Sequence, residues 1–233
     1  MRHLLFLLSF AVQICVQAQV SNDVVRVKNG SDITKLMPFT DRFQYESFKD
    51  GKVFFRNGRV VNAKLNYSLP HGEVQFVDAK KDTMILTDKN FISKITIAAD
   101  TFFYSEKHGH VRKIADFGDV GLAEKQFIAQ IGSERHSAYN QYTSTSAIST
   151  YSSFTNSSGM QQALEGNDKV LIKKRAVYFF IDKNQDLHLA NKGSILKVFP
   201  KHKKAINQYF KDNKTEFEDL KEISAALEYA SSL

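Results

Sequence analysis

An alternation of apolar and polar residues with a period of two most constrains what this chain can fold into. Val61, Ala63, Leu65 and Tyr67 alternate with Asn62, Lys64 and Asn66, and Val74 and Phe76 alternate with Glu73 and Gln75. Such a period puts one set of side chains inside and the other in water, as a half-buried strand does. The stretch Phe54-Phe55-Arg56-Asn57-Gly58-Arg59-Val60-Val61 carries a hairpin signal, with Asn57-Gly58 supplying the positive φ angles of a two-residue turn. Pro70-His71-Gly72, Lys80-Lys81-Asp82 and Lys107-His108-Gly109 punctuate further strands. Roughly seven or eight short strands between Val24 and Ile131 predict an antiparallel sandwich or a partly open barrel.

What lies before the strands sets the compartment. Residues 1–18 begin with Arg2 and His3, run apolar from Leu4 to Val16 and end in Val16-Gln17-Ala18. This is the layout of a signal peptide cleaved before Gln19. Its apolar stretch falls short of the roughly 20 residues that span a bilayer as a helix, so no transmembrane span is expected after leader removal. Cys15, the one cysteine, lies inside this leader, and the large Ile14 before it argues against lipidation. The exported chain then has no thiol for a disulfide, a metal or a nucleophile, and its core alone must hold it. Net charge is +7. The segment 169–233 carries 13 Lys/Arg against 8 Asp/Glu, which reads as a solvated lysine-rich surface rather than a nucleic-acid footprint.

The strand-like region, 19–136, gives way to a Ser/Thr-rich run over 137–167 that has no Lys or Arg and is expected to be a mobile loop. The final part, 168–233, reads as a β-hairpin and two helices. Val170 to Ile181 and Leu187 to Leu189 flank a turn at 182–186. Val177, Phe179 and Ile181 share one face and Tyr178 and Phe180 the other, so this strand is expected to be covered on both sides. One helix is expected from near Pro200 to Lys211. A second is expected from the capping box Thr215-Glu216-Phe217-Glu218, with Phe217, Leu220, Ile223, Leu227 and Ala230 as its apolar stripe. The fold class is therefore α+β, mainly antiparallel β, with a C-terminal helical pair over the sheet.

Motifs for chemistry are sparse. His108 and His110, two apart on a strand, would share a side as a metal pair needs, but Gly109 between them suggests a turn. Asp182, Asn184 and Asp186 match the first ligand positions of a calcium loop, yet Leu187 stands where glycine is required and Gly193 where the bidentate glutamate belongs. Asp116-Phe117-Gly118 is a kinase tripeptide without its companion motifs. Lys192, Lys197, Lys201, His202, Lys203 and Lys204 form the densest basic run. No phosphate loop, dinucleotide fingerprint, serine elbow or zincin motif is present. Catalytic residues, cofactor and metal are accordingly set at none.

Two segments carry a resemblance. Phe48-Lys49-Asp50-Gly51-Lys52-Val53-Phe54-Phe55-Arg56-Asn57-Gly58 continues into Ala63 to Tyr67 and Gly72 to Phe76. Ala190-Asn191-Lys192-Gly193-Ser194-Ile195-Leu196-Lys197-Val198-Phe199-Pro200 is followed by Lys203 to Ile206 and Tyr209. Together they resemble uncharacterised exported β-rich proteins of Bacteroidota. The resemblance implies a periplasmic, outer-membrane-associated or secreted location and no particular activity. In such a source Asp82-Thr83-Met84 looks like an O-glycosylation acceptor, whereas Asn29, Asn66, Asn156 and Asn213 are N-glycosylation patterns that matter mainly in a eukaryotic pathway. The expected function is that of an exported, non-catalytic protein binding an envelope protein or glycan, with no nucleic acid as partner. A hydrolase acting on an envelope or glycan substrate is the alternative, to be recognised by close carboxylates or clustered histidines in a cleft. An apolar cavity inside the barrel would point instead to a small-ligand carrier.

Overall fold

The computed structural model describes residues 24–28, 32–137, 141–145 and 169–233. The leader, and residues 138–140 and 146–167 of the Ser/Thr-rich run, lie outside them. The chain runs β1 (Val24–Lys28), α1 (Ile33–Leu36), α2 (Phe39–Arg42), β2 (Lys49–Phe55), β3 (Val60–Ser68), β4 (Glu73–Val77) and β5 (Thr83–Ile85). A 3-10 turn (Lys89–Phe91) leads to β6 (Ile92–Ile97), β7 (Asp100–Ser105), β8 (Gly109–Phe117), β9 (Val120–Ser137) and β10 (Gln141–Thr145). Then come β11 (Lys169–Ile181), β12 (Leu187–Leu189), α3 (Lys192–Val198), α4 (Lys203–Asp212) and α5 (Leu220–Ser231).

All twelve strands belong to one antiparallel sheet in the order β1-β11-β9-β8-β7-β6-β2-β3-β4-β5, with β10 added to β9 and β12 to β11. The α+β, β-rich class expected from the sequence is thus what forms, as a single unclosed sheet rather than a two-sheet sandwich. The sheet curls on itself. Although four strands separate β4 from β8 in the order, Glu73 of β4 meets His110 of β8, and the Tyr67 hydroxyl of β3 donates to the Gln126 carbonyl of β9 at 2.9 Å. Inside the curl Val53, Leu65, Tyr67, Ile95, Ile97, Phe102, Ile128 and Ile172 form the main core. Tyr67 stacks on Phe102 with ring centroids 5.6 Å apart. Gly51 permits β2 to approach β6, because a Cβ there would lie 2.3 Å from the Thr96 carbonyl oxygen.

The three C-terminal helices bury Ile195, Ile206, Ile223, Ala226, Leu227 and Ala230 against Val120, Leu122 and Phe180. Phe179 and Ile181 join Val111 and Ala123 in a separate cluster, so β11 is covered on both faces as its sequence predicts. α3 was not foreseen. It is only seven residues long, has Gly193 in its first turn and starts because the Asn191 side chain accepts the Ser194 N–H at 2.9 Å. The start of α5 also differs. Asp219, not Thr215, caps it by accepting from Lys221 N (2.7 Å) and Glu222 N (3.3 Å).

Three further local differences have physical reasons. The β2–β3 turn spans three residues: Phe55 N–H bonds the Arg59 carbonyl (2.8 Å), and Gly58 alone takes a positive φ, +85°. Asn57 instead uses its carboxamide to accept the Arg59 N–H at 3.0 Å. The polar set of β3 does not all face water. Asn66 is fully buried beneath the segment after α2, where its carboxamide accepts from Tyr45 N and Tyr67 N and donates to the Tyr45 and Ser47 carbonyls. Finally, Gln141–Thr145, within the run expected to be a loop, pairs with Ser133–Ser137 as a strand.

Candidate functional site

Two charged clusters sit where the curled sheet brings distant strands together. The first joins β4, β8 and the 3-10 turn. Glu73 is ion-paired with Lys89, and its Oε2 lies 3.0 Å from Nδ1 of the fully buried His110. The contact lies off the hydrogen-bond axis, and neither ring nitrogen has a hydrogen-bond partner among the described residues. Tyr104 packs on His110 with centroids 5.2 Å apart, and Lys89 lies 5.6 Å from the Tyr104 ring centre. Burial pushes the Glu73 carboxyl up, but His110 and Lys89 more than reverse this and hold it below the usual carboxylate range. Nearby, burial pulls the Lys125 ammonium down, with Glu73 partly opposing, while Lys125 donates to the His108 carbonyl at 2.8 Å.

The second cluster is built on Arg112 of β8. Its guanidinium donates to Glu124 Oε1 at 2.8 Å and to Asp100 Oδ1 at 3.2 Å. The Tyr45 hydroxyl donates to the other Asp100 oxygen at 2.5 Å, and Gln126 donates to Glu124. Burial works against the Arg112 cation, and the two carboxylates more than compensate, so its pKa is raised. Burial raises the Tyr45 hydroxyl, and the bonded Asp100 raises it further. Asp100 and Glu124 thus share one cation, which fixes both carboxylates in place.

The sequence motifs are separated or absorbed. Gly109, at φ +71°, divides the two histidines; His108 packs on Phe179 (centroids 4.7 Å apart) while His110 turns to Glu73. Asp182 spends its carboxylate within its own turn, accepting from Asn184 N (2.9 Å), Asp186 N (3.0 Å) and the His188 ring (2.9 Å). Burial raises its pKa, but together these bonds outweigh it and lower the pKa. Asp116 and Phe117 end β8 and Gly118 begins the turn to β9, with Asp116 paired to Lys113 at 2.7 Å. The basic run is split between α3 and α4, with Lys192 5.8 Å from the Phe210 ring centre. Thr83 opens β5 in an exposed position, and Asn213 follows α4. Asn29 and Asn156 lie outside the described residues. Among the described residues, no group of three or more His, Cys, Asp or Glu is placed to hold a metal ion, and no helix is long and apolar enough to cross a membrane.

A cleft of about 350 Å³ opens beside β1 and α2. Val25, Met37, Ile128 and Ile172 line it, with Asp41 and Lys173 adding charge. It lies apart from both charged clusters. Those clusters were illegible in the sequence because each assembles groups from three or more separated segments. The one usable signal is Glu73 at a strand start, and its partners Lys89 and His110 are unmarked by spacing. Comparison of the chain with protein-family models, curated proteins and solved structures finds no match.

Proposed function

We propose that this is an exported, non-catalytic protein that binds a component of the cell envelope. Export rests on the leader read from residues 1–18. Lack of catalysis is supported by the way the charged clusters close on themselves: Asp100 and Glu124 on Arg112, Glu73 on Lys89 and His110, Asp182 on His188. A general acid or base must have a proton to exchange with substrate, and groups committed to internal partners are poor candidates. The observation that carries binding is a surface one. Phe91, in the 3-10 turn beside the β2–β3 hairpin, is 69% exposed, and Val60 on the hairpin is 47% exposed, near Arg56 and Arg59, which have no carboxylate partner among the described residues. A soluble surface that keeps large apolar groups together in water marks an interaction site.

Crosslinking in intact source cells, followed by fractionation and identification of the joined molecule, tests this reading. The expected result is one reproducible envelope component attached to protein in the exported fraction. Recovery as a lone soluble monomer would overturn it.

A further inference from the structure

The β2–β3 hairpin tip and the neighbouring 3-10 turn form one continuous surface. The Arg56 N–H bonds the Phe91 carbonyl at 2.8 Å, and Arg56 Nε bonds the Asn90 carbonyl at 2.9 Å. These contacts hold Phe91 beside the turn, whose far side carries Val60 and Val61, the latter 39% exposed. Successive strand residues point to opposite faces, so both faces of the hairpin's end are apolar. The turn projects into open space: no heavy atom lies within 4 Å of where a Cβ on Gly58 would be.

The charge around this tip is mainly positive. No Asp or Glu occurs from Gly51 to Gly72 or from Lys89 to Ala99, and the exposed Asp88 at the start of the 3-10 turn is the exception. Lys64 pairs with Asp50 at 2.8 Å and Lys89 pairs with Glu73. Lys52, Arg56, Arg59 and Lys94 have no carboxylate partner among the described residues. Arg59 and Lys94 lie over the Phe55 and Phe54 rings at 4.1 and 5.0 Å, keeping their charges at the margin of the apolar end.

Resting on the envelope-binding reading, we propose that this tip docks end-on into an anionic lipid surface. Phe91, Val60 and Val61 enter the boundary between headgroups and acyl chains, and Arg56, Arg59, Lys52 and Lys94 meet the lipid phosphates. An apolar end ringed by cations has the distribution that such an interface rewards. Guanidinium groups suit phosphate because their planar fork donates two parallel hydrogen bonds. A protein partner is the weaker fit. A standard interface covers about 800 Å² on each side, and a projecting turn supplies that only to a partner with a groove shaped around it.

The test is co-sedimentation of the protein, expressed in and purified from its source cells, with vesicles of phosphatidylcholine alone or mixed with phosphatidylglycerol. Binding is expected only to the mixed vesicles. Each cation near an anionic leaflet is worth about fivefold, so R59E/K94E should lose about 25-fold or more, while the charge-matched K203E/K204E on α4 stays within about twofold. F91S/V60S should lose binding at high salt as well, since the apolar contribution is not screened. Circular dichroism and melting confirm that each variant is folded. Failure to bind mixed vesicles, or an equal loss in K203E/K204E, overturns the proposal. Should vesicles fail while a crosslinked envelope protein persists in cells and disappears in F91S/V60S, the lipid assignment falls and envelope binding stands. Loss of both vesicle binding and crosslinking sinks the two together.

Discussion

The inside of the curled sheet and the patch under the C-terminal helices are both buried, yet they are held by different forces. Beneath α3, α4 and α5 the fully buried contacts are apolar: Leu122, Phe180, Ile195, Ile206, Ile223 and Leu227. Within the curl an apolar core of similar kind is joined to Asn66, His110 and Glu124, polar groups that need named partners. Apolar packing is non-directional and tolerates exchange at constant volume. A buried polar group fixes register instead, because leaving it unpaired costs more than pairing it gains. The helices can thus sit on the sheet with some latitude, whereas β3 and β4 can meet β8 and β9 in one way only.

Leu227→Ala gives the largest expected effect. Removing a fully buried leucine should cost about 4 kcal/mol, seen as a lower denaturation midpoint that is the same at pH 5 and pH 7. A pH-dependent loss would break the contrast, since it would place a titrating group under the helices.

Next comes Arg112→Met, which leaves Glu124 buried beside Gln126 without its cation and should cost about 3 kcal/mol, discounted for the quarter of Arg112 that remains exposed. The sharper measurement is the double variant R112M/E124L. It should recover part of that loss because the more deeply buried carboxylate is gone, while Asp100, a quarter exposed, keeps the Tyr45 hydroxyl; a fully additive outcome would show that Arg112 and Glu124 are uncoupled.

The smallest effect isolates Glu73. Its carboxyl is held below its ordinary value of 4.5, so it stabilises the folded state above that pH and loses the contribution as pH falls through the lower, folded value. Glu73→Gln should cost about 2 kcal/mol at pH 7. Its melting temperature should also fall less steeply than that of the unaltered protein from pH 4.5 downward. Parallel melting curves below pH 4.5 would mean that another carboxylate carries the acid sensitivity.

What the sequence made legible follows from the same contrast. Apolar periodicity is local, so the strands of the first half, both faces of β11 and the region of α4 and α5 could be read from spacing. α3 escaped because seven residues with Gly193 in the first turn carry almost no period. Asn66 reads as a water-facing residue because its alternation with Leu65 and Tyr67 is regular; nothing near it in the chain says that Tyr45 and Ser47 will cover it. His110 and Arg112 follow the same rule. Their partners, Glu73, Asp100 and Glu124, arrive through sheet topology, which leaves no trace in spacing along one strand.

The pairing of β1 has a consequence for the order of events in folding. Val24 lies opposite Lys173 in the ladder, and Lys28 opposite Lys169. A chain delivered N-terminus first therefore presents this strand long before its neighbour emerges. Until then β1 has only unsatisfied amides to offer, the kind of edge that recruits foreign strands. Closing so long a loop late also makes folding slow relative to local hairpin formation. Its last step should be the zipping of β11 between β1 and β9, so a chaperone that shields nascent edges would matter most for the first segment to be synthesised.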